Sequence, residues 1–184
     1  WQRFLEDFSL KLTYGGGIRA NLLLKEIRFP RNNIKKLELI LKASHFSTNK
    51  DLILSLLNSA ISLENLRFQP LNAISGVNMT EYFKQFFAIL SQKRFFKSLS
   101  LTLISGDTMI DYEKIGEFLA QLTTLQELEI VIQAEDSEIV FYKKDWLGLV
   151  KGIVCIPGLK KLKMNTKGFI KISSESVNDS IPKN

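Results

Sequence analysis

Apolar residues recur along this chain in one short phrase: an apolar residue, two variable residues, an apolar residue, one variable residue, and an apolar residue. The phrase occurs as Leu5/Phe8/Leu10, Ile34/Leu37/Leu39, Leu63/Leu66/Phe68, Phe96/Leu99/Leu101, Leu125/Leu128/Ile130 and Leu159/Leu162/Met164. The middle residues Phe8, Leu37, Leu66, Leu99, Leu128 and Leu162 stand 29, 29, 33, 29 and 34 residues apart. Recurrence at a nearly fixed period marks a repeat architecture, in which each copy is one supersecondary unit.

Within a copy the last two apolar residues alternate with variable ones, and the alternation runs on in Leu37-Glu38-Leu39-Ile40-Leu41 and Leu99-Ser100-Leu101-Thr102-Leu103. A period of two predicts a strand with one buried face. Between the strands the spacing turns helical. Thr48 is the expected cap for a helix through Leu52, Ile53, Leu56, Leu57 and Ala60. Thr80 plays that part before Phe83, Phe86, Phe87 and Leu90, and Asp111 before Ile115, Phe118, Leu119 and Leu122. Weaker helices are predicted over about Ala20 to Arg28 and Lys144 to Cys155, the second with Gly148 and Gly152 lowering its propensity. Each unit reads as strand, loop, helix.

One strand and one helix of this size cannot bury their own apolar face, whereas stacked copies share a continuous core. The repeated phrase resembles the leucine-rich repeat family, and the long helix-containing units resemble its ribonuclease-inhibitor-like class. The resemblance covers residues 5 to about 167 and implies an α/β leucine-rich repeat solenoid of about six strand-loop-helix units, with a parallel sheet on one face and helices on the other. The family places Asn or Cys three residues after the third apolar anchor, where this chain has Thr13, Lys42, Leu71, Ile104, Gln133 and Lys167. The connections around Gln69 to Met79 and Gln133 to Lys143 are longer than a compact unit needs, so a less regular, flatter solenoid is expected. The alternative is a non-repetitive α/β domain whose short strands share their spacing by chance. Residues 1–167 are read as the repeat domain and residues 168–184, polar and Ser-rich, as a tail or a lead into another region.

Strand alternation places the residues between anchors on the open face of the sheet, where they are free to recognise a partner. The candidates for partner binding are Lys11, Lys36, Glu38, Ile40, Arg67, Gln69, Thr102, Glu127, Glu129, Val131, Lys161 and Lys163. With Asp7, Ser9, Asn65, Ser98, Ser100 and Asn165 they make a polar, nearly neutral face, which suits a protein partner better than a phosphate backbone. For any single residue, keeping an exposed sheet soluble is the plainer role. A second candidate contact is Ile139-Val140-Phe141-Tyr142, after the acidic stretch Glu135-Asp136-Ser137-Glu138.

Net charge qualifies this picture. The 184 residues hold 25 Lys and Arg against 19 Asp and Glu, a formal charge of +6. The charge is segregated: residues 1–50 carry +6, 51–100 carry +2, 101–150 carry −7 and 151–184 carry +5. A repeat array turns sequence order into spatial order, so the ends are positive and the penultimate region negative. A basic, nucleic-acid-associated subunit of a ribonucleoprotein is therefore an alternative, using Arg28, Arg31, Lys35 and Lys36 at one end or Lys160, Lys161, Lys163 and Lys167 at the other. A further alternative is the substrate-recognition part of a larger adaptor, such as an F-box protein.

No apolar run reaches the ~20 residues that cross a bilayer, so no membrane association is expected. With 28 Leu and 13 Phe the core is apolar, and one cysteine closes no intrachain disulfide. Cys155, inside Gly152-Ile153-Val154-Cys155-Ile156, fits a free thiol packed in a reducing, intracellular compartment, the cytoplasm before the nucleus. The start at Trp1, without Met and with Glu6 and Asp7 where a leader would be apolar, reads as a mature or excised piece.

No catalytic set assembles. His45 and Cys155 lie in different repeats, and zinc needs clustered Cys and His. Tyr14-Gly15-Gly16-Gly17 lacks the Lys-Ser or Lys-Thr of a phosphate loop and reads as a turn, while Glu135 to Glu138 lacks the alternating ligands and glycine of a calcium loop. Phe83/Phe86/Phe87 and Phe95/Phe96 sit at helix and anchor spacing and read as core rather than base-stacking surface. The expectation is a non-catalytic protein-interaction or scaffold module that uses no cofactor and no metal and works within a larger assembly.

Overall fold

The change of period from two to 3.6 along each unit forces strand and helix to alternate, and parallel strands require such crossovers to return the chain to the same end of the sheet. The computed structural model describes residues 9–13, 34–41, 43–70, 78–105 and 110–173. Six strands, β1 (Ser9–Thr13), β2 (Lys36–Leu41), β3 (Asn65–Pro70), β4 (Ser98–Ser105), β5 (Glu127–Tyr142) and β6 (Lys161–Ser173), pair in sequence order, every pair parallel. Four helices lie between the later strands: α1 (Ala43–Ser59), α2 (Met79–Ser91), α3 (Tyr112–Leu119) and α4 (Lys143–Val154). The fold is α/β.

From β2 onward the recurring phrase sets the register: Leu37, Leu66, Leu99, Leu128 and Leu162 are partners across four successive pairings. At β1 the expectation is corrected, because Leu10 rather than Phe8 stands opposite Leu37, two residues along from the alignment the phrase implies. Leu37, Leu39, Leu66, Phe68, Leu99, Leu101, Leu128 and Ile130 join Ile53, Leu57, Phe83, Phe87, Leu90, Ile115, Leu119, Leu149 and Ile153 from the helices in one hydrophobic cluster. The helices therefore cover the anchor face of the sheet. The widest part of the core is aromatic: the Phe68 ring centroid lies 5.3 Å from that of Phe86, which meets Phe87 nearly edge-on at 5.4 Å.

A backbone device repeats where each unit meets the next. The carbonyl of Lys35 accepts from the amides of Glu64 (2.8 Å) and Asn65 (2.9 Å); that of Glu64 from Lys97 (2.8 Å) and Ser98 (3.0 Å). Lys97 O accepts from Gln126 (2.8 Å) and Glu127 (2.9 Å), and Gln126 O from Lys160 (2.8 Å) and Lys161 (3.0 Å). Each of these oxygens uses both lone pairs on two consecutive amides of the following unit. Just upstream, each helix ends in the same two-step turn: Leu63 N donates to Ala60 O, Phe96 N to Lys93 O, Leu125 N to Leu122 O and Leu159 N to Ile156 O.

That turn normally puts an apolar residue inside, as Ala60, Leu122 and Ile156 show. In the β4 unit the position is Lys93, 6% exposed. Its ammonium donates to Asn58 O at 2.9 Å, and its own carbonyl accepts from Thr124 Oγ1 at 3.4 Å, so one residue links three consecutive turns. Burial holds the amine below its ordinary pKa.

The helices α3 and α4 meet through glycine. A Cβ on Gly116 would strike Gly148 O, one on Gly152 would strike Gly116 O, and one on Gly148 would lie 2.8 Å from Glu113 Cβ. Gly148 and Gly152, which weaken α4 as an isolated helix, let two backbones touch.

Several sequence expectations shift. The Asp111 cap is present, its Oδ1 accepting from Lys114 N at 3.0 Å. The cap of α2 is Asn78, whose Oδ1 accepts from Glu81 N at 3.1 Å; Thr80 instead accepts from Asp111 N at 2.9 Å, across units. Helix α1 begins at Ala43, so Thr48 and His45 lie inside it. Gln133 to Tyr142, expected as a loop, continues β5, with an irregularity between Gln133 and Glu138. β6 runs to Ser173, across the position expected to begin the tail. The helix expected over about Ala20 to Arg28, the glycine turn at Tyr14 to Gly17 and the anchors Leu5 and Phe8 lie outside the described residues.

Two outcomes follow. Gly116→Ala or Gly152→Ala forces the α3 and α4 backbones apart and lowers stability by about 1–3 kcal/mol, net of better helix propensity, as urea unfolding would report; an unchanged midpoint would show that the helices separate freely. Lys93→Met restores the apolar position and removes the desolvated charge, while water replaces the ammonium at the carbonyl of Asn58, an exposed residue, raising stability by about 1 kcal/mol near neutral pH. Because the folded pKa of Lys93 is depressed, the desolvation cost is fully present below that pKa and disappears as pH rises to the ordinary lysine value, so the gap between Lys93→Met and wild type narrows on going alkaline.

Candidate interaction surface

In-register parallel strands set equivalent side chains side by side, one strand spacing of about 4.8 Å apart. The open face therefore carries rows. One row is Glu38, Arg67, Ser100, Glu129 and Lys163, with Lys11 at the register position next to Glu38; the next, toward the strand starts, is Lys36, Asn65, Ser98, Glu127 and Lys161, with Ser9 at the register position next to Lys36. Of the twelve expected contact residues these rows gather Lys11, Lys36, Glu38, Arg67, Glu127, Glu129, Lys161 and Lys163.

The charges in the rows answer one another. Arg67 Nη1 lies 3.1 Å from Glu38 Oε1, while its Nη2 donates to Gln69 Oε1 at 2.8 Å. Glu129 uses both oxygens: Oε2 accepts from Ser100 Oγ at 2.9 Å and Oε1 from Lys163 Nζ at 2.6 Å. Lys161 stands 3.7 Å from Glu127. The Lys163 bond first, then the Ser100 bond, hold the Glu129 carboxyl below its usual range, with the charges of Lys163 and Arg67 adding to them against partial desolvation. Since β4 presents only Ser98 and Ser100 here, the face dips between the longer side chains, leaving a shallow cleft of about 190 Å³ lined by Ser98, Ser100, Glu127, Glu129, Lys161 and Lys163.

The third row departs from expectation. Gln69 and Val131 are partly exposed, but Ile40 and Thr102 are buried, at 8% and 6% exposure, and cannot meet a partner. Alternation says which side of the sheet a residue takes; it does not say whether that side is bare, and toward the ends of β2 and β4 it is covered. Ile139, Val140, Phe141 and Tyr142, the second candidate contact, lie in β5 and pair with Ile170 to Ser173 of β6 rather than forming a loop.

Two single residues were misread from the sequence. Phe96 is buried as an anchor, yet Phe95 is 50% exposed, with the Arg94 guanidinium carbon 5.9 Å from its ring centroid. Cys155 is exposed, as is Val154 beside it, so the thiol is not packed as a small hydrophobe. Position within a turn, rather than the apolarity of the neighbours, decides both.

No family model, curated protein or solved structure matches the chain. Among the described residues no three of His, Cys, Asp or Glu are grouped to hold a metal ion, and no helix is long and apolar enough to cross a membrane.

The Glu129 geometry is testable by NMR titration of its carboxyl. The midpoint lies below the ordinary glutamate value of about 4.3 and rises toward it in Lys163→Met. The favourable contribution of the pair is present above the ordinary value and lost as pH falls through the depressed one. An identical midpoint in Lys163→Met would mean that the pair does not persist in solution.

Proposed function

We propose that the chain is a non-catalytic protein-recognition module, a divergent leucine-rich repeat solenoid that binds a protein partner through the exposed sheet face as part of a larger assembly. The observation that carries this reading is the pair of in-register polar rows. Parallel strands in sequence order, a strand-helix unit repeated at the anchor period, and a turn repeated from helix to strand support the solenoid.

Charge pairing favours a protein over a nucleic acid. Arg67, Lys97, Lys161 and Lys163 each face a carboxylate, from Glu38, Glu64, Glu127 and Glu129 in turn. Phosphates would have to displace four existing partners, whereas a protein surface of mixed charge can join the rows. Exposed pairs of this kind contribute at most about 1 kcal/mol each to stability, so they are free to exchange partners. Their alternating signs fix orientation and register more than affinity.

The full-length protein purified under native conditions retains its partner after nuclease treatment, and the double reversal Arg67→Glu with Glu129→Lys weakens that partner about tenfold or more, while circular dichroism stays unchanged. A partner retained equally by the variant moves the interface off the sheet face. A partner released by nuclease replaces this reading with the nucleic-acid one.

A further inference from the structure

The turn that joins α2 to β4 is built inside out. In the other units the inward position of the turn is Ala60, Leu122 or Ile156, and the residue just before the anchor is Ser62, Thr124 or Gly158. In the turn ending at Phe96 the inward residue is Lys93 and the outward one is Phe95. The buried lysine ties the turn to Asn58 on one side and Thr124 on the other, so the phenylalanine is displayed from a fixed base.

Beside Phe95 runs an open cleft of about 310 Å³ that spans three consecutive units. Its lining includes Arg94, Phe95, Lys97, Thr124, Gly158 and Lys160, and no Asp or Glu. Phe95 forms a tall wall because the equivalent residues of the next two units are Thr124 and Gly158. Lys97 is matched by Glu64 at 3.0 Å, but Arg94 and Lys160 have no carboxylate partner among the described residues; Lys160 Nζ lies 3.3 Å from the neutral Gln126 Oε1.

We infer that this turn cleft is a second docking site, taking a protein segment in which an acidic residue stands within a position or two of an apolar one. The apolar side chain packs on the Phe95 ring and the carboxylate meets Arg94, whose planar fork suits it, and Lys160. Charge complementarity selects the partner: the two cations lacking an ion pair match one or two carboxylates. A phosphate backbone is held by many cations neutralising phosphates at once, with the charge contacts supplying most of the affinity, and the cleft offers three cations, one already paired. Aromatic and Arg side chains are the types that dominate protein contacts. The site goes beyond the sheet-face reading and does not depend on it.

The test is selection of a random peptide display library on the full chain, with affinities of the selected peptides measured by fluorescence anisotropy. The expected sequences share an acidic residue next to an apolar one. Phe95→Ala weakens them about tenfold or more, and Arg94→Ala with Lys160→Ala weakens them and flattens their salt dependence, whereas Lys84→Glu on α2 leaves them unchanged. All three changed side chains of the cleft are exposed, so the thermal midpoint stays at the wild-type value and loss of binding reads as loss of contact. Selected peptides without acidic residues, or peptides indifferent to Phe95→Ala, overturn the inference. Oligouridine that binds and loses affinity in Phe95→Ala overturns it in favour of single-stranded nucleic acid. The peptide readout is independent of any partner held on the sheet face, so either reading can fail alone.

Discussion

The shared carbonyl at the starts of β2, β3, β4 and β5 is the constraint from which the rest of the structure follows. Lys35, Glu64, Lys97 and Gln126 each give one oxygen to two consecutive amides of the next unit. A single shared acceptor leaves no room for slippage, and in a parallel sheet a slip of one residue would send every Leu anchor to the polar face. The stretch from the last helical turn to the central anchor spans nine positions in every case: Leu57 to Leu66, Leu90 to Leu99, Leu119 to Leu128 and Ile153 to Leu162. The variation of the period between 29 and 34 residues is therefore taken up between the strand and its helix, where nothing has to register.

Once units are locked at their starts, like positions become neighbours, and the chemistry of a position is judged against its equivalents one unit away. That is why the face residues form ion-paired rows instead of scattered charges, and why Lys93 and Phe95 stand out although neither residue type is unusual. It also shows at β6, the last strand among the described residues, where Leu162 is 48% exposed while its equivalents Leu37, Leu66, Leu99 and Leu128 are buried.

The α/β alternation, the anchors from Ile34 onward and the Asp111 cap were legible because each rests on side-chain type at a fixed spacing. The carbonyl ladder was not, since a backbone oxygen leaves no mark in the sequence. Thr80 was a plausible cap, but Asn78 two residues earlier is as good a one, and the tertiary bond from Asp111 to Thr80 decided between them. The first turn of α1 carries no apolar stripe, so the helical period became visible only past Thr48. At the surface, alternation correctly grouped Glu38, Arg67, Glu129 and Lys163, yet it could not show that Ile40 and Thr102 are covered. Phe95 was lost to its neighbour: two adjacent phenylalanines near an anchor look alike until the turn sends one in and one out.

The two surfaces are continuous. Lys97 and Lys160 line the turn cleft, and the next residues in the chain, Ser98 and Lys161, line the cleft on the sheet face. Their physics differs. The rows are polar and already satisfied within the fold, so meeting a partner exchanges one set of ion pairs for another, with a small net change and a strong dependence on matching signs. The turn offers a half-exposed aromatic ring and two cations without carboxylate partners, so covering it removes apolar area from water and satisfies charge at once. On the two proposals, affinity would be concentrated at Phe95 and discrimination at Glu38, Arg67, Glu129 and Lys163. A segment lying across the starts of β4, β5 and β6 would reach both.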